Sequence, residues 1–203
     1  MRGLFVTFEG IDRSGKTTQA RLLCEALGDA AVGVREPGGT DAGERVRAIL
    51  KDPSVPLSPE TEALLFAAAR AELVAERILP ALAEGRIVVS DRFLDSSLAY
   101  QGGARGLGIE DVGRVNRFAT RALRPDLTFL LEISPAEAAA RAGEHDRFEE
   151  EGATLQEAVL AAYERLIELD PERWRRIDAA RPADAVHADV LAAVEAARSE
   201  APA

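Results

Sequence analysis

The 203-residue chain contains one cysteine, Cys24, so no disulfide can close within it. Beside Leu22 and Leu23, this cysteine reads as a small buried hydrophobe rather than a reactive thiol. His145 and His187 are the only histidines, which argues against a zinc site. No apolar run approaches the roughly 20 residues of a membrane-spanning helix. A β-prone run begins at Leu4, so no secretory signal is expected, and the cytoplasm is the simplest location. Positive charge is in deficit, with 25 Lys and Arg against 35 Asp and Glu and a net charge of −10. That balance disfavours non-specific nucleic-acid binding, which needs a basic surface. Small anions stay compatible with it, because a few arginines can make a local positive pocket. Lysine is scarcer than arginine: Lys16 and Lys51 are the only two. The length fits one domain over residues 1–203, with ordinary hydrophobic content and room for a real core.

One of the two lysines closes Gly10-Ile11-Asp12-Arg13-Ser14-Gly15-Lys16-Thr17, which has the form G-x-x-x-x-G-K-[ST]. The flanks are those the motif requires. Leu4–Phe8 is a short apolar, β-prone run, and Thr18–Leu27 has helical periodicity ended by Gly28. Between strand and helix the loop can turn successive N–H groups towards phosphate oxygens, aided by the helix N-terminus. A Gly-rich turn that binds nothing would not need this frame. Residues Gly10 through Thr18 are therefore expected to hold ATP. Lys16 would reach the β- and γ-phosphates, and the Thr17 hydroxyl would ligate Mg²⁺.

Further along, strand and helix signals alternate. Ala31–Arg35 predicts a strand, broken by Glu36-Pro-Gly-Gly-Thr40, and Thr40 or Asp41 caps a helix through Lys51. Ser58 opens a long helical stretch that Pro80 should bend and Gly85 end. Arg86–Asp91 is a β-branched run closing on an acid, the Walker-B pattern, in which Asp91 helps hold Mg²⁺. A short helix is expected over 95–102 and another over 110–123. Asp126–Ile133 reads as a buried strand, Ser134-Pro135 as a capped helix start, 154–169 as a helix, Trp174–Ile177 as a strand, and 182 onward as a helix. Such alternation implies an α/β fold of the P-loop NTPase type: a parallel sheet of about five strands with helices on both faces. The loops after Glu9, Arg35, Ser90 and Asp178 then meet at the carboxyl edge, where ligands bind. Gly143 to Gly152 is polar and acidic apart from Arg147 and Phe148 and reads as a mobile loop.

A phosphate loop alone does not name a reaction. Val89-Ser-Asp-Arg-Phe-Leu-Asp-Ser-Ser-Leu-Ala-Tyr-Gln101 adds Arg92, a guanidinium fork placed just after the metal acid at a strand end. Phe66 and Arg70 stand at i and i+4, on one helix face, where an aromatic can stack on a base while the arginine donates to its edge. The alternative is a core phenylalanine beside a solvated arginine. Together with Phe8–Gln19, Arg35–Thr40 and Leu64–Arg70, these segments resemble the thymidylate kinase family over nearly the whole chain.

The resemblance implies phosphoryl transfer from ATP, with Mg²⁺, to dTMP, giving dTDP for DNA-precursor synthesis. By it Arg92 contacts the dTMP phosphate, Phe66 stacks on thymine and Arg70 reads its O4. Tyr100 packs near the deoxyribose, Ser97 and Gln101 lie near the base, and Asp12 lies near the 3′-hydroxyl. Arg181 borders the adenine of ATP or is a solvated helix-end charge. The loop near Gly143, over about residues 141–153, resembles the short lid that closes over ATP, which in some bacterial members carries several arginines. Here Arg141 and Arg147 are the nearby ones, while Arg13 occupies the phosphate loop, where other members place a catalytic arginine. Lys16, Arg13, Arg92, Asp12 and Arg141 are accordingly the candidate catalytic set, and a homodimer through the long helices is expected. The enzyme alternative is a kinase for another nucleotide or a deoxynucleoside. The alternative from another class is a nucleotide-dependent switch or partner-binding ATPase, which would turn over ATP without an acceptor and give Phe66 and Arg70 no joint role.

Overall fold

In the computed structural model, residues 2–141 and 152–200 are described. Most of the expected lid, with Arg147 and His145, lies outside them. The described residues form a five-stranded, all-parallel sheet in the order β2-β3-β1-β4-β5. The strands are β1 (Phe5–Glu9), β2 (Ala31–Arg35), β3 (Ile87–Asp91), β4 (Leu127–Glu132) and β5 (Trp174–Asp178). The helices are α1 (Lys16–Leu27), α2 (Asp41–Lys51), α3 (Pro59–Leu73), α4 (Leu79–Ala83), α5 (Leu94–Ser97), α6 (Ile109–Ala119), α7 (Pro135–Ala139), α8 (Gly152–Leu169) and α9 (Ala183–Glu200). Alternate side chains of each strand enter opposite cores. Val6, Phe8, Val89, Phe129 and Leu131 pack with Leu23 of α1 and Val186, Val190 and Val194 of α9. On the other face Phe5 and Val88 meet Leu73, Ile78 and Leu82, while Leu130 and Trp174 meet Tyr163 and Val159 of α8. Both faces are covered, as an all-parallel sheet requires.

The helix starts follow their capping chemistry. Thr40, rather than Asp41, caps α2 by accepting the Gly43 N–H, and Ser58 accepts from Thr61 with Pro59 in the first turn. Ser134 and Glu137 form a reciprocal capping box on α7. Two expectations change. The stretch from Ser58 does not simply bend at Pro80: a wider π turn over Val74–Ile78 joins α3 to α4 and absorbs a proline that has no N–H to donate. The helix expected over 110–123 stops at Ala119, because Arg121 and Ala122 adopt left-handed backbone (φ 53° and 60°) and turn the chain before Pro125.

Candidate active site

The central strand β1 delivers the phosphate loop. Its last side chain on the α8 face is Glu9, fully buried, which forces it to find donors. It accepts from the Phe93 N–H at 2.8 Å, Ser96 Oγ at 2.5 Å and Tyr163 Oη at 2.8 Å. Burial, and Asp95 nearby, raise its carboxyl to about 7. Gly10 follows with φ 138°, and a Cβ there would lie 2.7 Å from the Leu131 carbonyl, so only glycine fits. Ile11 turns its side chain into the core beneath, and its carbonyl accepts from Lys16 Nζ at 2.6 Å. Ser14 Oγ is a second acceptor at 3.3 Å. Burial, with Arg92 nearby, lowers the Lys16 ammonium to about 8. Thr17 and Thr18 lie exposed in the first turn of α1.

Pairing of β1 with β3 sets Phe8 opposite Asp91. That register brings Asp91 Oδ2 to 2.5 Å from the Thr17 hydroxyl. One carboxylate and one hydroxyl are hard oxygen donors suited to Mg²⁺ that also takes phosphate oxygens. No cluster of three or more His, Cys, Asp and Glu residues that could hold a metal ion occurs among the described residues.

Arg92 then leaves the strand with φ 70°. This backbone is costly for a side-chain-bearing residue and is held by several bonds. The Arg92 N–H donates to the Phe8 carbonyl at 3.0 Å, and Ser90 Oγ donates to the Arg92 carbonyl at 2.6 Å. The side chain turns back over the phosphate loop. It donates to Asp12 Oδ1 at 2.5 Å, Ser96 Oγ at 3.0 Å and the Gly10 carbonyl at 3.2 Å, and stacks 5.2 Å from the centre of the Tyr100 ring. Burial alone would raise Asp12, but Arg92 and Lys16 outweigh it and hold its carboxyl below the usual aspartate range. Gln156 of α8 and the Tyr100 hydroxyl complete the Asp12 shell at 3.1 and 3.3 Å.

Asp12, Lys16, Thr17, Asp91, Arg92 and Tyr100 line a cavity of about 430 Å³ that is also lined by Phe66, Arg70, Ser97 and Gln101. Arg70 is not solvated: 1% of its surface is exposed. Its five N–H groups have five matching contacts. Nε and Nη2 reach Glu36 Oε2 at 2.7 and 2.5 Å, Nη2 also reaches the Phe93 carbonyl at 3.1 Å, and Nη1 reaches Ser97 Oγ at 3.1 Å and Asn116 Oδ1. Burial pushes the Glu36 carboxyl up, against the pull of Arg70, and its Oε1 has no hydrogen-bond partner among the described residues.

Residues 8–190 match the family model described as Thymidylate kinase. The chain is 50% identical over 200 residues to a thymidylate kinase of Caldanaerobacter subterraneus subsp. tengcongensis, covering 96% of each chain. It is 49% identical over 203 residues to one from Pelotomaculum thermopropionicum (96% of this chain, 94% of the relative), and 44% identical to one from Lactobacillus helveticus (96% and 97%). The chain belongs to the thymidylate kinase family. Members are ATP-dependent nucleoside monophosphate kinases.

The thymidylate kinase resemblance drawn from the sequence thus has a spatial counterpart. Asp12, Arg13, Lys16, Thr17, Phe66, Arg70, Asp91, Arg92, Ser97, Tyr100 and Gln101 all line the cavity. Arg141 and Arg181 do not line it. Arg141 Nη1 donates to the Arg13 carbonyl at 3.2 Å, Arg13 Nη1 donates to the Arg141 carbonyl at 3.2 Å, and Arg141 Nη2 reaches the Ala179 carbonyl. Arg141 therefore clasps the phosphate loop to the loop after β5. Arg181 is engaged by Asp189 and the Asp178 carbonyl. Six cavity residues went unassigned in the sequence: Arg35, Glu36, Pro37, Arg47, Lys51 and Ser96. The signal for two of them was present, because Arg47 and Lys51 stand at i and i+4 on α2, and Lys51 is the one lysine besides Lys16.

Proposed function

We propose that this chain transfers the γ-phosphoryl group of ATP to dTMP, giving ADP and dTDP, with Mg²⁺ and at the cavity described above. The observation that carries the reading is that one cavity is lined both by the phosphate-loop residues Asp12, Arg13, Lys16 and Thr17 with Arg92, and by Phe66 with Arg70. Two polyanions must approach for the transfer, so cations must fill the gap between them. Lys16 and the loop N–H groups hold the donor phosphates. Arg92 presents its fork to the acceptor phosphate, and Arg47 and Lys51 add charge from α2. Asp12, kept ionised by Arg92 and Lys16, positions both and, by the family resemblance, meets the deoxyribose 3′-hydroxyl. The acceptor is already a phosphate oxygen, so no general base is required. Thr17 and Asp91 would hold Mg²⁺, which when bound neutralises charge on the donor phosphates. Phe66 stacks on the base. Arg70 reaches the base carbonyl when the Ser97 hydroxyl rotates aside and yields its bond.

With ATP and Mg²⁺, dTMP should therefore be phosphorylated far better than thymidine, dCMP or dGMP. Discrimination against dUMP should be modest, because a methyl group contributes about 1 kcal/mol. ADP release with ATP alone and then with each acceptor in turn tests this. Equal turnover of dCMP and dTMP, or release without an acceptor, would sink the assignment.

Arg70→Ala should raise the KM for dTMP tenfold or more, since a charge-assisted hydrogen bond is worth roughly 1.5–3 kcal/mol, and should leave that for ATP near normal. The same change strands Glu36 as an unpaired buried acid, so the melting temperature should also fall. Pairing it with Glu36→Gln should restore much of the stability but not the KM. Unchanged dTMP kinetics would make Arg70 purely structural.

We further propose that the chain acts as a homodimer in the cytoplasm. No described helix is long and apolar enough to cross a membrane. The packed pair α3 and α6 carries Leu64, Val115 and Phe118, exposed by 57%, 37% and 89%, which together suit a self-complementary interface. Sedimentation at micromolar protein should give a dimer that Phe118→Glu disperses. A monomeric wild type would contradict it.

A further inference from the structure

The base-facing wall combines a side chain that can only donate with one that can do either. Arg70 has N–H groups alone, whereas the Gln101 amide has a donor end and an acceptor end. Which end Gln101 shows to the cavity is decided behind it. Its Nε2 donates to Glu62 Oε1 at 2.9 Å, and Glu62 is itself 2% exposed and ion-paired with Arg105 at 3.2 Å. An ionised carboxylate can only accept. Glu62 therefore draws the amide nitrogen back into the protein and leaves the amide oxygen as the end offered to the cavity that Gln101 lines. Glu62, Phe66 and Arg70 are i, i+4 and i+8 on α3, so one helix stripe supplies the orienting acid, the stacking ring and the donor.

The pairing edge of thymine carries the O4 acceptor beside the N3–H donor. That of cytosine carries an amino donor beside an N3 acceptor. A donor from Arg70 beside an acceptor from Gln101 complements the first pattern and opposes the second. We propose that Glu62 is a specificity-determining positioning residue, which fixes the Gln101 amide with its oxygen towards the base and so selects a pyrimidine with a carbonyl beside N3–H. This rests on reading the cavity as the monophosphate acceptor site.

The test is Glu62→Gln in the full chain, assayed with ATP, Mg²⁺ and either dTMP or 5-methyl-dCMP. The second acceptor keeps the methyl, sugar and phosphate and differs only in the base edge. Wild type should prefer dTMP in kcat/KM by at least about a hundredfold, as expected where a mismatched base leaves buried polar groups unpaired. In Glu62→Gln the new amide can donate as well as accept, so Gln101 is free to turn. The preference should fall about tenfold or more, with the KM for ATP unchanged. Gln101→Ala should lower the preference similarly, and the double variant no further than the larger single effect. A merely structural role would lower kcat/KM for both acceptors in proportion, and an unchanged ratio overturns the proposal. Should Glu62→Gln fail to fold, Glu62→Met, of similar length and unable to bond the amide, is read in the same way. Wild type turning over 5-methyl-dCMP as well as dTMP overturns the proposal without any variant. Failure of both acceptors in wild type sinks the acceptor-site reading as well, whereas an unchanged ratio sinks this proposal alone.

Discussion

Arg13→Gly should lower kcat at least a hundredfold while leaving the KM for ATP nearly unchanged. The transition state spreads negative charge over the transferring phosphoryl group, and a cation aimed there is worth about 10³–10⁵ in rate. Arg13 sits on the loop that wraps the donor phosphates, so little ordering is needed to place its guanidinium. The substitution is clean at the backbone, because Arg13 has φ 60°, a region that glycine enters without cost. Any loss therefore reports on the side chain and not on a collapsed loop. Arg141→Ala should cost less, through the clasp that Arg141 makes with the Arg13 and Ala179 carbonyls. Arg147→Ala should cost least, since Asp146, Glu149, Glu150 and Glu151 compete for its charge. Near-normal kcat in Arg13→Gly together with a large loss in either other variant would move the catalytic arginine to the lid.

Arg92→Gly is expected to be damaging as well, with kcat/KM for dTMP falling about a hundredfold to ten-thousandfold. Two charge-assisted bonds from a fork to one phosphate amount to about 3–6 kcal/mol, and each ~1.4 kcal/mol is a factor of ten. Arg92 is poised for that work: its side chain is 16% exposed and held from four sides by Gly10, Asp12, Ser96 and Tyr100. Glycine again suits the backbone, here at φ 70°. Arg92→Lys, which keeps the charge and loses the fork, should recover only part of the rate. A loss within tenfold for Arg92→Gly would reduce the Arg92–Asp12 pair to a structural contact.

What the sequence made legible was whatever is written in contiguous residues. The phosphate loop, the acid closing β3 and the helix starts at Thr40, Ser58 and Ser134 each depend on neighbours within a few positions, and each stands where the spacing places it. The parallel direction of the strands and the exit of the loops at one edge follow from strand–helix alternation, whereas the strand order β2-β3-β1-β4-β5 does not. Features set by distant packing were not legible. The segment after Ser97 winds as a π turn over Leu98–Ala104, and a Cβ at Gly103 would lie 2.4 Å from that of Ala162 on α8, so the local winding answers to another helix. Likewise Phe66 and Arg70 were readable as a face of one helix, but not the enclosure of Arg70 by Glu36, Phe93, Ser97 and Asn116, which come from three other parts of the chain. Glu36 illustrates the limit most plainly. It lies in a Pro-Gly-Gly loop whose sequence says turn, and it becomes a wall of the site only because β2 lies beside β3 and brings that loop to the cavity.

On the proposed reading, the γ-phosphoryl group passes directly to a nucleoside monophosphate held in the cavity beside the phosphate loop. Following γ-labelled ATP with dTMP and Mg²⁺ and resolving the labelled products tests it most directly. The label should appear in the β-phosphate of dTDP in step with ADP formation, and should stay in ATP when dTMP is withheld. Label accumulating as inorganic phosphate, at the same rate with or without dTMP, would contradict the account and leave a nucleotide hydrolase in its place.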